Sequence, residues 1–351
     1  MAWKATLCLG LQQEAEAATG RNRREVPVSM NESLLDVQNL KVYFPIKSGL
    51  LRKTTGYVKA VDDVSFQLGR GETLGIVGES GCGKSTTGRA VMQLIRPTDG
   101  IVRFQGEDLS GLDADALRSR RRNMQMVFQD PYSSLNPRMT VERILREPLE
   151  AHGIGSRAEQ LTRIREVMEL CGLNSGQLHR YAHEFSGGQR QRICIARALV
   201  LRPQVVVADE PVSALDVSIQ SQIINLMTDL QKELQVGFLF ISHDLAVVKH
   251  ISHRIGVMYL GRMAELAPAK ALYERPLHPY TQSLLSAIPR SHPKAVKERI
   301  VLKGDVPSPA DPPKGCAFWT RCPQVMEHCK SVRPEMTDMG GGRSVACHLY
   351  T

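Results

Sequence analysis

The segment Gly78-Glu79-Ser80-Gly81-Cys82-Gly83-Lys84-Ser85-Thr86 constrains this chain more than any other stretch. Four residues separate the first glycine from Gly83-Lys84-Ser85, the spacing of a phosphate-binding loop. Glycines let backbone N–H groups turn inward and approach an anion closely, and a helix starting at the loop's end adds its positive terminus. The flanks agree. Leu74 to Val77 reads as a buried strand, and Thr86 to Ile95 has helical spacing that ends before Pro97. In such a unit the lysine reaches the β- and γ-phosphates and the next hydroxyl ligands Mg²⁺, which assigns those roles to Lys84 and Ser85.

Around that unit the pattern alternates. Leu34 to Val42 and Val58 to Leu68 read as β-rich, with a turn at Gly69 to Gly71. From about 130 to 185 the spacing turns helical, as in Ala158 to Cys171, framed by Pro131, Pro137 and Gly172. From 187 to 262 a helix (Gln189 to Val200), a strand (Val205 to Ala208), a helix (Val217 to Leu234) and strands at Gly237 to Ile241 and Arg254 to Tyr259 follow one another. Buried strands interleaved with helices predict a largely parallel sheet covered on both faces. Beyond Pro268 the chain is rich in proline and reads as an appendage.

Several classes are excluded or disfavoured by the same reading. The 351 residues accommodate one such α/β domain plus an appendage and are too few for two. No run approaches the roughly 20 apolar residues that span a bilayer. The apolar patch Ala5 to Gly10 precedes Arg21, Arg23 and Arg24, the reverse of a signal peptide, so residues 1–30 are expected to be an N-terminal extension with Met30 as the true start. A net charge of +9 could attract nucleic acid, but the densest run, Arg118, Arg120, Arg121 and Arg122, has no interleaved aromatics. It reads as a solvated face, and no nucleic-acid partner is expected.

Two further constellations carry chemistry. Val205-Val206-Val207-Ala208-Asp209-Glu210 is an apolar strand that delivers two carboxylates to its C-terminal end, where α/β sheets place ligands. Asp209 suits Mg²⁺ through its water shell, and Glu210 suits orienting or deprotonating an attacking water. Phe185-Ser186-Gly187-Gly188-Gln189 stands before a helix, where two glycines and a serine leave free N–H groups as a second anion site.

With these motifs in hand the chain resembles the ATPases of ABC transporters, over residues 34 to 262. That family's LSGGQ signature appears here as FSGGQ, and the order Gln129, FSGGQ, Asp209-Glu210, Ser213-Ala214-Leu215-Asp216, His243 is the family's order. The resemblance implies a P-loop NTPase fold with a RecA-like core, an antiparallel β subdomain and a helical subdomain at about 130–185, within an ATPase domain at 31–268. It implies that ATP is held by Gly78 to Thr86 and, in trans, by Ser186, Gly187, Gly188, Gln189 and Asp216 of a second subunit. It also implies that Gln129 senses Mg²⁺ and the membrane subunits, and that His243 contacts the γ-phosphate. An aromatic residue stacks on adenine in the family; by its spacing ahead of Lys84 this is Tyr57, with Tyr43 as the alternative.

The segment Val127 to Val141 looks like that of oligopeptide, dipeptide and nickel permease ATPases, and His278-Pro279-Tyr280-Thr281 resembles the start of their C-terminal extension, here 269–351. The partners so implied are two membrane permease subunits, an extracytoplasmic substrate-binding protein and a second, similar ATPase, at the cytoplasmic face of the membrane. Peptide is the favoured cargo, nickel or another small solute the alternative. An ABC ATPase that acts on nucleic acid or ribosomes is a further alternative, supported only by the positive charge. In the extension Cys316, Cys322, Cys329 and Cys347 are separated by five, six and seventeen residues, without the two-residue spacing of zinc ribbons. Four thiolates in a proline-rich segment with little core of its own suggest a metal staple. Similar cysteines in some peptide-permease ATPases ligate a [4Fe-4S] cluster; zinc and unliganded thiols are the other readings.

Overall fold

The computed structural model describes residues 33–49, 53–288 and 300–351. The expected N-terminal extension, Met30 and Cys8 lie outside the described residues.

In chain order the strands are β1 (Leu35–Ser48), β2 (Lys53–Leu68), β3 (Thr73–Val77), β4 (Asp99–Phe104), β5 (Glu107–Asp108), β6 (Met124–Val127), β7 (Val205–Asp209), β8 (Gly237–Ile241), β9 (Arg254–Tyr259), β10 (Arg262–Pro268), β11 (Thr337–Gly340) and β12 (Arg343–Val345). The helices are α1 (Lys84–Val91), α2 (Ala114–Arg121), α3 (Pro131–Ser134), α4 (Val141–Ala151), α5 (Arg157–Leu170), α6 (Gly187–Leu199), α7 (Val217–Leu234), α8 (Leu245–Ile251), α9 (Ala269–Glu274) and α10 (Pro279–Ser286).

Among the described residues two sheets form. One is antiparallel, in the order β2-β1-β4-β5; the other runs β11-β12-β10-β9-β3-β8-β7-β6. In the second sheet β9, β3, β8, β7 and β6 are parallel, and β10, β12 and β11 continue it antiparallel. Every residue of β3, β7 and β8 is buried, which is why these strands read as unbroken apolar runs rather than as alternation. By contrast β1 alternates, with Leu35, Val37, Leu40 and Val42 inward.

The helical region between β6 and β7 packs α4, α5 and α6 into one apolar cluster through Ile144, Leu145, Leu149, Ile164, Met168 and Ile193. Each helix starts where its sequence supplies a cap: Thr140 for α4, and reciprocal boxes of Ser156 with Glu159 for α5 and Ser186 with Gln189 for α6. Helix α1 differs from its expected span. It starts at Lys84 because Gly83 is already the left-handed N-cap, and it stops at Val91 because Met92 to Ile95 fold back onto the carbonyls of Gly88, Arg89 and Ala90. Strands β4, β5, β6 and β10 to β12 have no counterpart in the sequence reading, since most are too short to show alternation.

The arginine run is engaged by the protein itself. Arg120 pairs with Glu107 at 2.5 Å, Arg121 donates to the carbonyls of Met92 and Gln93, and Arg118 donates to that of Ala151.

The C-terminal segment also departs from expectation, because it borrows the core of the main domain instead of lacking one. Phe318 and Tyr280 are buried in the same cluster as α4 to α7, and Tyr259 of β9 meets both rings edge-on, at 5.2 and 4.7 Å between centroids. His278 sits at the turn into α10, its Nδ1 accepting the Tyr280 N–H at 3.0 Å, while buried Glu265 accepts the N–H groups of Leu277 and His278. Burial holds His278 neutral and pushes it from 6.5 down to about 4.

A histidine whose folded value lies below its unfolded one stabilises the fold above the unfolded value and loses that contribution as pH falls toward the folded one. Between pH 6.5 and about 4, His278 should therefore remove about 3 kcal/mol. His278→Asn, which keeps a capping acceptor, should flatten this acid dependence in urea unfolding followed across that range.

Candidate functional site

The C-terminal ends of β3, β7 and β8 meet at one edge of the parallel sheet, and the polar residues that follow them converge there. After β3 the loop 78–83 turns into α1. Gly83 has φ 101°, a left-handed conformation, and an added Cβ would overlap the carbonyl oxygen of Ala60 in β2. No other residue fits at that position. At Gly81, with φ 79°, a Cβ would meet nothing within 4 Å, so the loop's tip stands open on that side.

Lys84 is 4% exposed, and its ammonium donates to the carbonyls of Gly78 at 2.8 Å and Glu79 at 3.0 Å. A buried cation held only within its own loop, by these carbonyls and by Cys82 Sγ at 3.8 Å, is poised to accept anionic partners. Next to it the Ser85 hydroxyl donates to Asp209 Oδ1 at 2.6 Å, which ties α1 to the end of β7.

Asp209 is 1% exposed, and its carboxyl is pushed up by burial, with Ser85 and Arg89 acting the other way. Its Oδ2 is buried without a hydrogen-bond partner; Arg89 Nη2 stands off at 3.9 Å. An orphaned buried acceptor beside a serine hydroxyl is the donor set a hard divalent cation takes, so Ser85 and Asp209 fit the Mg²⁺ expected of them.

Glu210 has φ 46°, an unfavourable left-handed conformation for a non-glycine residue that costs on the order of 1–3 kcal/mol. The turn is held by its N–H on the Ile241 carbonyl at 2.9 Å and by the Ser213 hydroxyl on its own carbonyl at 3.0 Å. The bend leaves the Glu210 side chain between two expected partners. Gln129 Nε2 donates to Oε2 at 3.0 Å, and His243 Nδ1 lies 3.3 Å from Oε1. Sequence order alone had not coupled Gln129 to Glu210, because the link is made by β6 lying beside β7.

Tyr57 is 51% exposed on β2, three residues before the Ala60 carbonyl that packs against the loop. The alternative, Tyr43, is tied down, since its hydroxyl donates to Asp62 at 2.6 Å. Phe44, beside it and exposed, is an aromatic that the sequence reading passed over.

The FSGGQ segment is built differently from expectation. The Ser186 hydroxyl accepts the Gln189 N–H at 3.4 Å and Gln189 Oε1 accepts the Ser186 N–H at 3.1 Å, so only part of the expected free N–H set is open. Close packing, too, demands its glycines: a Cβ on Gly188 would lie 2.5 Å from Ile219 Cγ2, and one on Gly187 3.2 Å from the Tyr132 hydroxyl. Asp216 is the N-cap of α7 without a side-chain capping bond.

Cys316, Cys322, Cys329 and Cys347 lie near one another; a backbone bond joins Cys316 to Cys329 at 2.8 Å, and burial pushes the thiols of Cys316, Cys322 and Cys347 up. Among the described residues no three His, Cys, Asp or Glu side chains are placed to hold a metal ion, so nothing in the structure supports the metal staple expected of them.

Comparison with known proteins agrees with the motif order. A family model described as ABC transporter matches residues 61–213, and one described as oligopeptide/dipeptide transporter, C-terminal region, matches residues 264–329. The chain is 56% identical over 323 residues to the oligopeptide transport ATP-binding protein AppF of Bacillus subtilis, covering 91% of this chain and 98% of that one. It is 50% identical over 320 residues to the probable peptide ABC transporter ATP-binding protein y4tS of Sinorhizobium fredii, covering 91% of each. Among solved structures, the dimeric post-hydrolysis state of the ATP-binding cassette MJ0796 bound to ADP and Pi superposes with a TM-score of 0.59 at 28% identity, over 67% of this chain and 98% of that one.

Gly83→Ala should lower the stability of the nucleotide-free protein by at least about 1–2 kcal/mol from its left-handed backbone alone, with the overlap at Ala60 adding to it. Urea unfolding of the two proteins side by side measures the difference.

Proposed function

The chain belongs to the ATP-binding proteins of ABC transporters, in their oligopeptide branch, and from that membership we propose that it binds and hydrolyses ATP to drive import of di- and oligopeptides. The observation that carries the catalytic part is the convergence of Lys84, Ser85, Asp209, Glu210, Gln129 and His243 at the ends of four parallel strands. The cargo rests on the C-terminal match and on the peptide-transport relatives.

In this reading Gly78 to Thr86 wrap the triphosphate, Lys84 exchanges its loop carbonyls for β- and γ-oxygens, and Tyr57 stacks on adenine. Ser85, Asp209 and Gln129 hold Mg²⁺, which when bound neutralises phosphate charge. Glu210 orients and deprotonates the attacking water, while His243 and Gln129 set the direction of its carboxylate. Positioning and charge stabilisation supply most of the rate, since phosphoryl transfer to water needs no covalent help from the chain.

A second ATPase subunit docks head to tail and contributes Ser186, Gly187, Gly188, Gln189 and Asp216 to each site. Two permease subunits receive the closure, and an extracytoplasmic binding protein delivers the peptide. No helix among the described residues is long and apolar enough to cross a membrane, in keeping with a peripheral subunit on the cytoplasmic face. The cysteine segment enters as a packing element, and no step runs through a metal there.

Co-expression with permease subunits followed by reconstitution tests the reading: ATP turnover should rise when a peptide-loaded binding protein is added, and turnover indifferent to peptide would reject the cargo. Glu210→Gln should keep ATP binding, lower kcat by at least about 100-fold and trap an ATP-bound dimer on size exclusion.

A further inference from the structure

Glu79 is the second residue of the phosphate loop, and three of its groups are engaged at once. Its carboxylate is gripped by both terminal nitrogens of Arg321, Nη1 to Oε2 at 2.7 Å and Nη2 to Oε1 at 3.2 Å. Its N–H donates to the Tyr280 hydroxyl at 2.9 Å. Its carbonyl accepts from Lys84 Nζ at 3.0 Å. A bidentate guanidinium–carboxylate pair is among the most directional contacts a protein makes.

Arg321 and Tyr280 both come from the C-terminal segment. The Arg321 side chain is only 9% exposed, so the pair is weakly screened, and its guanidinium lies 6.0 Å from the centroid of the Tyr259 ring, which Phe318 and Tyr280 clamp from the sides. The same segment reaches the other side of the loop: the Pro309 carbonyl accepts the Lys59 N–H at 3.0 Å, two residues after Tyr57. The loop needs such an anchor. At its tip nothing lies within 4 Å of where a Cβ on Gly81 would stand, and the Glu79 carbonyl is one of only two backbone oxygens on which Lys84 rests.

We propose that Arg321 is a positioning residue for ATP: by fixing Glu79 it sets the carbonyl against which Lys84 is held and so pre-forms the phosphate cradle from outside the ATPase domain. The proposal rests on the assignment of Gly78 to Thr86 as the ATP site. Pre-organisation of this kind acts on binding more than on the chemical step, because the guanidinium pairs with Glu79 and not with Asp209 or Glu210.

The test uses the full-length chain with Arg321→Ala, Arg321→Lys, Glu79→Gln, the Glu79→Gln/Arg321→Ala double variant and Lys84→Ala, read by Mg²⁺-dependent binding of a fluorescent ATP analogue and by KM and kcat for ATP. Arg321→Ala should weaken binding and raise KM about tenfold while kcat changes less than about threefold, and Arg321→Lys should recover part of the loss. The double variant should be no worse than the poorer single one, since both changes break one contact. Binding and KM within twofold of the parent in Arg321→Ala, or additive losses in the double variant, would overturn the proposal and leave Arg321 a tether for the extension. Should Arg321→Ala fail to fold, Glu79→Gln and Arg321→Lys decide by the same split. Unimpaired ATP binding by Lys84→Ala would instead remove the ATP-site assignment on which the proposal stands.

Discussion

Parallel pairing of β3, β8 and β7 is the constraint from which the rest of the structure follows. Parallel strands buried on both faces cannot turn back on themselves; each needs a crossover, and all release their chains at the same edge. That edge is where Gly78, Asp209 and Ser242 leave their strands, and residues distant in sequence become neighbours without any loop having to reach. The Ser85–Asp209 bond then locks the helix that follows β3 to the end of β7, two strands away in the sheet.

Two carboxylates on consecutive residues acquire opposite surroundings from this placement. Asp209, the last residue of β7, stays inside the sheet, where burial opposes its charge and leaves one oxygen without a partner. Glu210, one residue later, escapes by a strained turn and is met by an amide and an imidazole. One position along a strand thus separates a buried acceptor lacking a partner from a carboxylate held between an amide and an imidazole.

What could be read from the sequence follows the range of each interaction. The phosphate loop and the Asp-Glu pair are encoded in contiguous residues, because their geometry is set by local backbone and by a strand or helix at each side; the Ser186–Gln189 box is equally local, yet the segment reads in sequence as a set of free N–H groups. The partnership of Gln129 with Glu210 and that of Arg321 with Glu79 depend on which strands and segments are adjacent, and no spacing announces them. Tyr280 was signalled by the His278-Pro279-Tyr280-Thr281 motif, but not as a ligand of the loop. The cysteines are a related case: their spacing leaves shared ligation and free thiols equally open, whereas the packing that Phe318 and Tyr280 supply to the segment appears only in the fold.

The hairpin β11–β12 has a consequence for the protein's surroundings. By pairing with β10 it covers the row of backbone groups that would otherwise end the central sheet, and the new border is the short β11, which closes on Gly340, Gly341 and Gly342, all in left-handed conformations. Such a border is short and irregular, a poor template for a foreign strand. The hairpin thus acts as a selvedge, finishing this border of the sheet so that a neighbouring copy is poorly matched to it.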